Sequence, residues 1–408
     1  GTGKAPMAGA AMIVTDGRIS WVGAAGSLKT PAGAQTIDLS GKYMMPGIIN
    51  LHGHLGNVVE LTQDPKFFTR ENVNSQLKTY AQYGVTTVLS MGSDQPLIYE
   101  MRAAQRAGRP SVARIFTAGK GFTGPNGYPT SAPGMKGVPY EVKTPEEVRR
   151  AITELAKQGP DFVKIWVDDH LGKEKKIDTE ISRAIIQAAR NSGFRTCAHI
   201  FYYEDAKALS EAGLYACAHS VRDREVDAAL INVMKTKGTW QLGTLARELS
   251  VFVYAKQADF LSDPFFKQSV PQKVIGMIDN DAYRAKQNQD KDMPKYPGFL
   301  ATAQKNLKKL YDAGVKVGFA TDSGPPARFS GFSEHKEMDL MAEAGFTPNQ
   351  IITIFSKNSA EFLGHSHDLG TLEKGHWADL VVLSRNPVEN IKNARTIESV
   401  YIAGNKAR

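Results

Sequence analysis

The sequence predicts an α/β protein: a (β/α)8 TIM-like barrel joined to a small β-sandwich domain that is built from both ends of the chain. From about residue 44, apolar runs of strand length alternate with amphipathic stretches that end in glycine, and eight such runs can be counted. The two ends of the chain show short strands joined by DG, GN and other glycine-rich turns. An open, doubly wound sheet is the alternative, and the count of eight favours the closed barrel.

The eight apolar runs are the predicted barrel strands. In chain order they are YMMPGIINL, VTTVLSM, ARIFTAG, DFVKIWV, RTCAHIF, YACAHSV, TWQLGTL and VKVGFATD. Runs that are apolar at nearly every position are typical of parallel strands buried on both faces. The stretch TPEEVRRAITELAKQG shows how a helix between them is bounded. Thr144 suits an N-cap, Pro145 suits the first helical position and Gly159 suits the end.

The same pattern divides the chain into two units. Residues 1–43 and 367–408 are expected to form the composite β-sandwich domain, and residues 44–366 the barrel. An insertion at about 245–300, between the seventh and eighth strands, is a candidate lid or contact between subunits, and we expect a homo-oligomer.

Composition narrows the classes of partner. The 408 residues carry a formal net charge of +8, but the basic residues are spread among acids, so we expect no nucleic-acid binding. No apolar run is long enough to span a membrane, so we expect no membrane partner. The chain starts at Gly1 rather than Met, which suggests that a leader or a first strand has been removed, and the localisation stays open.

Side chains that can bind metal fall at the carboxyl ends of the predicted strands, where barrel enzymes place their active sites. Four of the nine histidines lie at such ends, with one lysine within the fourth strand and one aspartate at the end of the eighth. These candidate ligands are His52, His54, Lys164, His199, His219 and Asp322.

The spacing of these residues suits two cations. Side chains alternate along a strand, so His52 and His54 are expected to point the same way and reach one ion. His199 and His219 lie on neighbouring strands and could hold a second ion. Asp322 adds an oxygen ligand and could accept a proton from a water molecule at the metals. Polar groups satisfied within the core are the alternative reading.

The only two cysteines each precede one of these histidines by two residues. Cys197 and Cys217 are therefore expected to point into the barrel as small apolar fillers, one layer below His199 and His219. Metal ligation by the cysteines and a disulfide between them remain alternatives.

The motif MMPGIINLHGH, the two later histidines, TDSG and the split β-domain with ADLVVL resemble the amidohydrolase superfamily over nearly the whole chain. The lysine in VKI resembles its binuclear branch, in which that lysine is carboxylated and bridges two divalent metal ions. The resemblance implies one metal on His52, His54 and Asp322 and a second on His199 and His219. Lys164 would bridge them, and zinc is the default ion for such ligands. A lysine snorkelling towards the barrel mouth is the alternative for Lys164.

Within the superfamily the chain resembles the imidazolonepropionase-related group, which includes binuclear prolidases and bacterial enzymes that hydrolyse ochratoxin A, an N-acyl-phenylalanine. The resemblance implies a carboxypeptidase-like enzyme acting on a small-molecule amide with a free carboxylate. A hydroxide held between the metals would attack the amide, with Asp322 as general acid and base. Hydrolysis of cyclic amides, deamination and lactone hydrolysis are alternatives on the same site. A scaffold without activity is the non-enzymatic one.

Three arginines follow strand ends and could grip the substrate's carboxylate: Arg222, Arg247 and Arg328. Tyr128, in the glycine-rich TGPNGYPTS loop, could line the same pocket. Solvated loop arginines are the alternative. The aromatic residues of the insertion suit either an apolar substrate pocket or the insertion's own core, and they are Phe252, Tyr254, Phe260, Phe265 and Phe266.

Overall fold

The computed structural model describes residues 1–408, and eight parallel strands close into a barrel, which confirms the predicted fold class. The first three strands pair in succession, and so do the fourth to the eighth. In chain order the barrel strands are Ile48–Gly53, Val85–Ser90, Arg114–Thr117, Val163–Trp166, Thr196–His199, Ala216–Ala218, Trp240–Leu242 and Val317–Gly318.

Backbone hydrogen bonds complete the ring at its two remaining joints. The amide of Asp161 donates to the carbonyl of Thr117 at 2.8 Å, between the third and fourth strands. The amide of Asp322, beyond the eighth strand, donates to the carbonyl of His52 at 2.7 Å. This second bond places Asp322 directly beside the end of the first strand.

Helices surround the barrel and fill the insertion between the seventh and eighth strands. The α-helices are Arg70–Gln82, Leu97–Arg106, Pro145–Lys157, Thr179–Asn191, Tyr203–Glu211, Ala228–Lys237, Leu245–Ser250, Pro264–Lys267, Gln272–Ile278, Asp281–Gln287, Tyr296–Asp312, Phe332–Glu343, Pro348–Thr353 and Ser359–Leu363. Short 3₁₀ turns lie at Ala25–Ser27, Pro65–Phe67, Val253–Ala255, Asp259–Ser262, Met293–Lys295 and Ile391–Arg395, and a π-helical turn at Ile354–Asn358. None of the helices combines the length and the apolar character that a membrane span requires.

The helix Pro145–Lys157 begins and ends as its sequence predicts. The Thr144 hydroxyl accepts from the amide of Glu147 at 3.2 Å, and the Glu147 carboxylate accepts from the amide of Thr144 at 3.2 Å, which is a capping box. Gly159 follows the helix with a φ of 65°, a conformation that glycine adopts without strain.

Strands from both ends of the chain form the β-sandwich. The hairpin Ala10–Thr15 and Arg18–Ala24 faces a four-stranded antiparallel sheet, and Ile19 packs with Leu380 and Val382 between them. The strands of that sheet, in spatial order, are Asn405–Lys406, Ile397–Ile402, Leu380–Leu383 and Tyr43–Pro46. The division of the chain at residues 43 and 367 stays a prediction. Two short pairs complete the strand list: Val58–Val59 with Thr62–Gln63, and Phe122–Thr123 with Tyr140–Glu141.

The insertion has a core of its own. Tyr254, Phe265 and Phe266 are buried in one cluster with Phe332, and Phe260 packs against it. Phe252 packs against the large core between barrel and helices instead. Of the two readings left open for these aromatic residues, the structure favours the insertion's own core.

The two cysteines are free and buried, as fillers should be, but they face opposite sides of the sheet. Cys197 lies in the cluster inside the barrel. Cys217 packs outward among the surrounding helices, so its predicted inward direction is wrong. The reason lies at His219, whose φ of 112° breaks the alternation of the strand and turns this histidine inward although Cys217 points out.

Candidate active site

The predicted metal ligands gather at one place, at the carboxyl end of the barrel. His54 Nε2 lies 2.9 Å from Asp322 Oδ1, and His52 Nε2 lies 3.5 Å from the same oxygen. Lys164 Nζ lies 3.3 Å from His52 Nε2. The register of the first strand against the second shifts between Asn50 and Gly53, and such bulges redirect side chains next to active sites.

The other two histidines complete the cluster. The ring of His219 lies 4.1 Å from that of His199 and 4.8 Å from that of His52, measured between centroids. His219 Nδ1 lies 2.6 Å from the hydroxyl of Thr244, and His199 Nε2 lies 2.8 Å from a carboxylate oxygen of Asp168. All six predicted ligands therefore belong to one group.

The nitrogens of these imidazoles suit a divalent metal. His219 Nε2 and His52 Nδ1 are buried without a hydrogen-bond partner, an arrangement that costs free energy unless another group satisfies them. Ligand atoms of His52, His219 and Asp322 lie within 4.8 Å of one another. His54 Nδ1 is held by the hydroxyl of Ser93 at 2.9 Å, which leaves its Nε2 towards Asp322. Neutral imidazole and carboxylate are common zinc ligands, so the residues present fit such an ion.

Burial keeps the four histidines neutral. It lowers the pKa of His199 to about 3, lowers the pKa of His54, and holds the pKa values of His52 and His219 well below the usual range. Burial alone would raise the pKa of Asp322, but Arg328 and the first-strand histidines hold it well below its usual range. The cluster thus offers neutral nitrogens and an ionised carboxylate, the forms that bind cations.

Lys164 has no exposed surface, so it does not snorkel to solvent. Burial lowers the pKa of its amine to about 8. Gly92, after the second strand, makes room for it. A β-carbon there would lie 2.7 Å from Lys164 Cγ, and Gly92 has a φ of 96°. A side chain at position 92 would therefore displace the lysine from the cluster.

Three residues that follow strands have a left-handed backbone. The φ angles are 112° at His219, 55° at Thr244 and 57° at Asp322. Non-glycine residues in this region cost about 1–3 kcal/mol each and persist where surrounding contacts hold them, commonly at functional sites. Here the strain turns His219 and Asp322 towards the barrel axis.

Three of the four predicted substrate-binding residues lie at this site. Arg328 borders the cavity above the ligands and is paired with Asp322. Arg247 Nε lies 4.0 Å from Asp322 Oδ2, and Arg247 Nη1 lies 3.0 Å from Glu248 Oε2. The ring of Tyr128 borders the cavity and lies 5.2 Å from that of His199.

The structure does not bring Arg222 to the cavity. Arg222 is 1% exposed, and its Nη1 donates to the carbonyls of Ile200 at 2.8 Å and Ser220 at 2.9 Å. Its Nε lies 2.9 Å from Glu248 Oε2. Arg222 is therefore enclosed in the wall of the barrel, where it shares Glu248 with Arg247.

The cavity measures about 600 Å³ when the space at its opening to solvent is included, and it has both polar and apolar walls. At its base lie four histidines and Asp322, with Arg328 to one side. Its apolar lining consists of Leu55, Val58, Pro129, Ala132, Met135, Trp166 and Pro325. The space suits a small molecule with an apolar part and a charged end.

Sequence reasoning missed the residues that hold the histidines: Ser93, Asp168 and Thr244. Each follows a barrel strand by two or three residues, so the rule that found the ligands could have found them as well. It also missed Glu248, because nothing in the sequence shows that this residue lies between two arginines. Glu334 is another residue that was not predicted from the sequence. Its Oε1 accepts from Asn50, Thr321 and Ser323, each at 2.7 Å, and so ties the first strand to the eighth.

The barrel and the donors at the carboxyl ends of its strands define an enzyme with a candidate metal centre. The sequence model of the amidohydrolase family matches residues 43–407, and the chain belongs to that family. It is therefore a hydrolase that acts on carbon–nitrogen bonds.

Known proteins resemble the chain over most of its length. Imidazolonepropionase of Geobacillus sp. (strain WCH70) is 24% identical over 405 residues, which cover 90% of this chain and 82% of the relative. Ochratoxinase of Aspergillus niger is 22% identical over 427 residues, which cover 95% and 80%. A solved Xaa-Pro dipeptidase with bound methionine in its active site has a TM-score of 0.74 at 22% identity, over 97% of this chain and 94% of that one. At this identity the structural likeness shows the fold.

Proposed function

We propose that this protein hydrolyses the amide bond to a C-terminal, hydrophobic amino acid whose carboxylate is free. Substrates of this class are N-acyl amino acids and dipeptides, including ochratoxin A, which would be cleaved to ochratoxin alpha and Phe. The observation that carries the proposal is the cavity itself, in which a cluster of metal-binding side chains adjoins the guanidinium of Arg328 and an apolar wall.

Two divalent metal ions, proposed to be zinc, complete the site. His52, His54 and Asp322 would hold one, and His199 and His219 the other, with a carboxylated Lys164 between them. When bound, such ions polarise a carbonyl oxygen and lower the pKa of water. Carboxylation of Lys164 would turn a fully buried amine into an anionic ligand and remove the cost of burying an unpaired cation.

Positive charges on the cavity wall and beside it favour an anionic substrate. Arg328 borders the cavity and keeps about a fifth of its side chain exposed, 21%, so a ligand can reach it. A guanidinium can bind a carboxylate through two parallel hydrogen bonds. Arg247 adds a second positive charge nearby, fixed by its pair with Glu248. An amino acid with a free carboxylate at this end would place its amide towards the histidine cluster.

Asp322 is positioned to move the proton. It is ionised, lies at the base of the cavity and touches His54. It would take a proton from the attacking water and return it to the leaving nitrogen, as a general base and then a general acid. The apolar residues Met135 and Trp166 give the hydrophobic part of the substrate a surface to pack on.

Two comparisons support this substrate class without deciding among its members. One relative is named an ochratoxinase, and a similar solved structure is a Xaa-Pro dipeptidase holding an apolar amino acid. The relative named imidazolonepropionase favours a second candidate, a cyclic amide opened at the same site. Deamination and lactone hydrolysis belong to this second candidate.

A single mass-spectrometric assay tests the proposal. Zinc-supplemented protein is incubated with pooled N-acyl amino acids and dipeptides, ochratoxin A included, and released amino acids are scored. Release of Phe, Leu or similar residues supports the proposal. Release of Pro or Arg keeps the reaction and changes the specificity. No release from any member contradicts it and directs the search to cyclic amides and lactones.

A further inference from the structure

His199 is held by Asp168, a carboxylate that is not one of the six predicted metal ligands. Asp168 Oδ2 lies 2.8 Å from His199 Nε2, and both side chains are 2% exposed. The other ring nitrogen, Nδ1, has no hydrogen-bond partner in the protein, and His199 borders the cavity. The contact therefore occupies one nitrogen and leaves the second for a ligand.

The chemistry of the partner decides where the proton sits. An ionised carboxylate accepts hydrogen bonds and donates none, so Nε2 of His199 must carry the proton and Nδ1 must carry the lone pair. The hydroxyls beside His54 and His219 do not fix a tautomer in this way. Ser93 and Thr244 can each donate or accept towards His54 and His219.

The loop after the fourth strand is built to hold Asp168. Its Oδ1 accepts from the amide of His170 at 2.9 Å. This turn requires a left-handed backbone at His170 and Leu171, with φ angles of 48° and 61°. The ring of Tyr128 lies 4.0 Å from that of His170 and 5.2 Å from that of His199. The strained turn and the contacts of Tyr128 with both histidines thus hold the carboxylate against the imidazole.

We propose that Asp168 is a positioning residue, which fixes the tautomer and the ring orientation of His199 so that Nδ1 faces the metal held by His199 and His219. The inference rests on the metal assignment of the proposed function. Partners of this kind typically change metal affinity about 10- to 100-fold when they are removed. Because Asp168 does not touch His52 or His54, only one of the two metals should respond.

The test compares Asp168→Asn and Asp168→Ala with a matched control, Asp169→Asn. Asp169 is the next residue and accepts from the hydroxyl of Tyr202 at 2.6 Å and the amide of Gly172 at 3.0 Å, without contact to His199. Zinc is titrated into chelator-treated protein and bound metal is counted per chain. The 15N shifts of the histidine rings, assigned with a His199→Gln variant, report the tautomer in the metal-free protein.

We expect two zinc ions per chain in the wild type and in Asp169→Asn. The Asp168 variants should keep one ion and bind the second about 10- to 100-fold more weakly. His199 should be protonated at Nε2 in the wild type and should lose this fixed tautomer in Asp168→Ala. Unchanged binding of both ions in the Asp168 variants would overturn the inference and leave the proposed function standing. A wild type that binds no zinc would refute the proposed function, and an unchanged His199 tautomer in Asp168→Ala would then refute the positioning as well.

Discussion

Arg222 and Arg328 both follow predicted strand ends, but their different surroundings in the structure should give them different roles. Arg328 borders the cavity, whereas Arg222 is buried against Glu248. Replacing each by methionine removes the charge and keeps much of the side-chain length. The account predicts that Arg328→Met loses substrate binding and that Arg222→Met loses stability.

The size of the first effect follows from the contact that Arg328 can make. A hydrogen bond to a charged group contributes about 1.5–3 kcal/mol. At about 1.4 kcal/mol per factor of ten, its loss raises KM roughly 10- to 150-fold for a substrate with a free carboxylate. The corresponding primary amide, such as an N-acyl-phenylalaninamide, offers no carboxylate, so its KM should change little. Because Arg328 also pairs with Asp322, kcat should fall for both substrates.

The size of the second effect follows from burial. Removing Arg222 leaves the carbonyls of Ile200 and Ser220 without their donor and leaves Glu248 with Arg247 alone. Breaking a buried ion pair by removing one partner costs about 3–5 kcal/mol in the free energy of unfolding. The preference of Arg222→Met for carboxylate over amide substrates should stay at the wild-type level.

Steady-state kinetics on a matched pair of N-acyl-phenylalanine and its amide, together with urea denaturation of each variant, measure both effects. A KM change confined to the carboxylate substrate in Arg328→Met, and a lowered urea midpoint in Arg222→Met, support the account. If Arg222→Met instead loses the preference for the carboxylate while its urea midpoint is unchanged, the reasoning is refuted.

Further predictions concern the ligands, a buried acid and assembly. Lys164→Ala should lose activity through the loss of a bridging anion, with partial rescue by short carboxylic acids; full activity in this variant would exclude the binuclear site. Asp322→Asn should abolish turnover while much of the metal stays bound, and wild-type turnover would contradict its role in proton transfer. Burial raises the pKa of Glu337 to about 8, so the folded state favours its protonated form and stability is lost as the pH rises from about 4.5 through 8. Denaturant titrations of Glu337→Gln should show a shallower fall over that window, and an equal slope would contradict this assignment. Light scattering should give a mass above that of one chain of 44.5 kDa, because we expect a homo-oligomer; the mass of a single chain would contradict it.

Strand ends explain why so much of the site could be predicted. The barrel places the carboxyl ends of its strands around one opening, so His52, Lys164 and His199 could be brought together from sequence position alone. The fold class followed from the count of apolar runs and from the different pattern of the two chain ends.

Side-chain direction was harder to predict, because it depends on local backbone geometry. Cys217 and His219 are two residues apart, so regular strand geometry would place their side chains on the same side of the sheet. The φ of 112° at His219 places them on opposite sides instead. The partners of charged residues were harder still. Arg222 follows a strand end just as Arg328 follows one, and only the position of Glu248 separates them. Such pairings arise from contacts between distant segments, and a single sequence carries no signal for them.

The most direct test of the account is a zinc titration of chelator-treated protein, followed by release of Phe from an N-acyl-phenylalanine substrate. The account predicts no release without metal and activity that rises to a plateau at two zinc ions per chain. A plateau at one ion, or release that does not depend on added metal, would contradict the binuclear centre on which the proposed function rests.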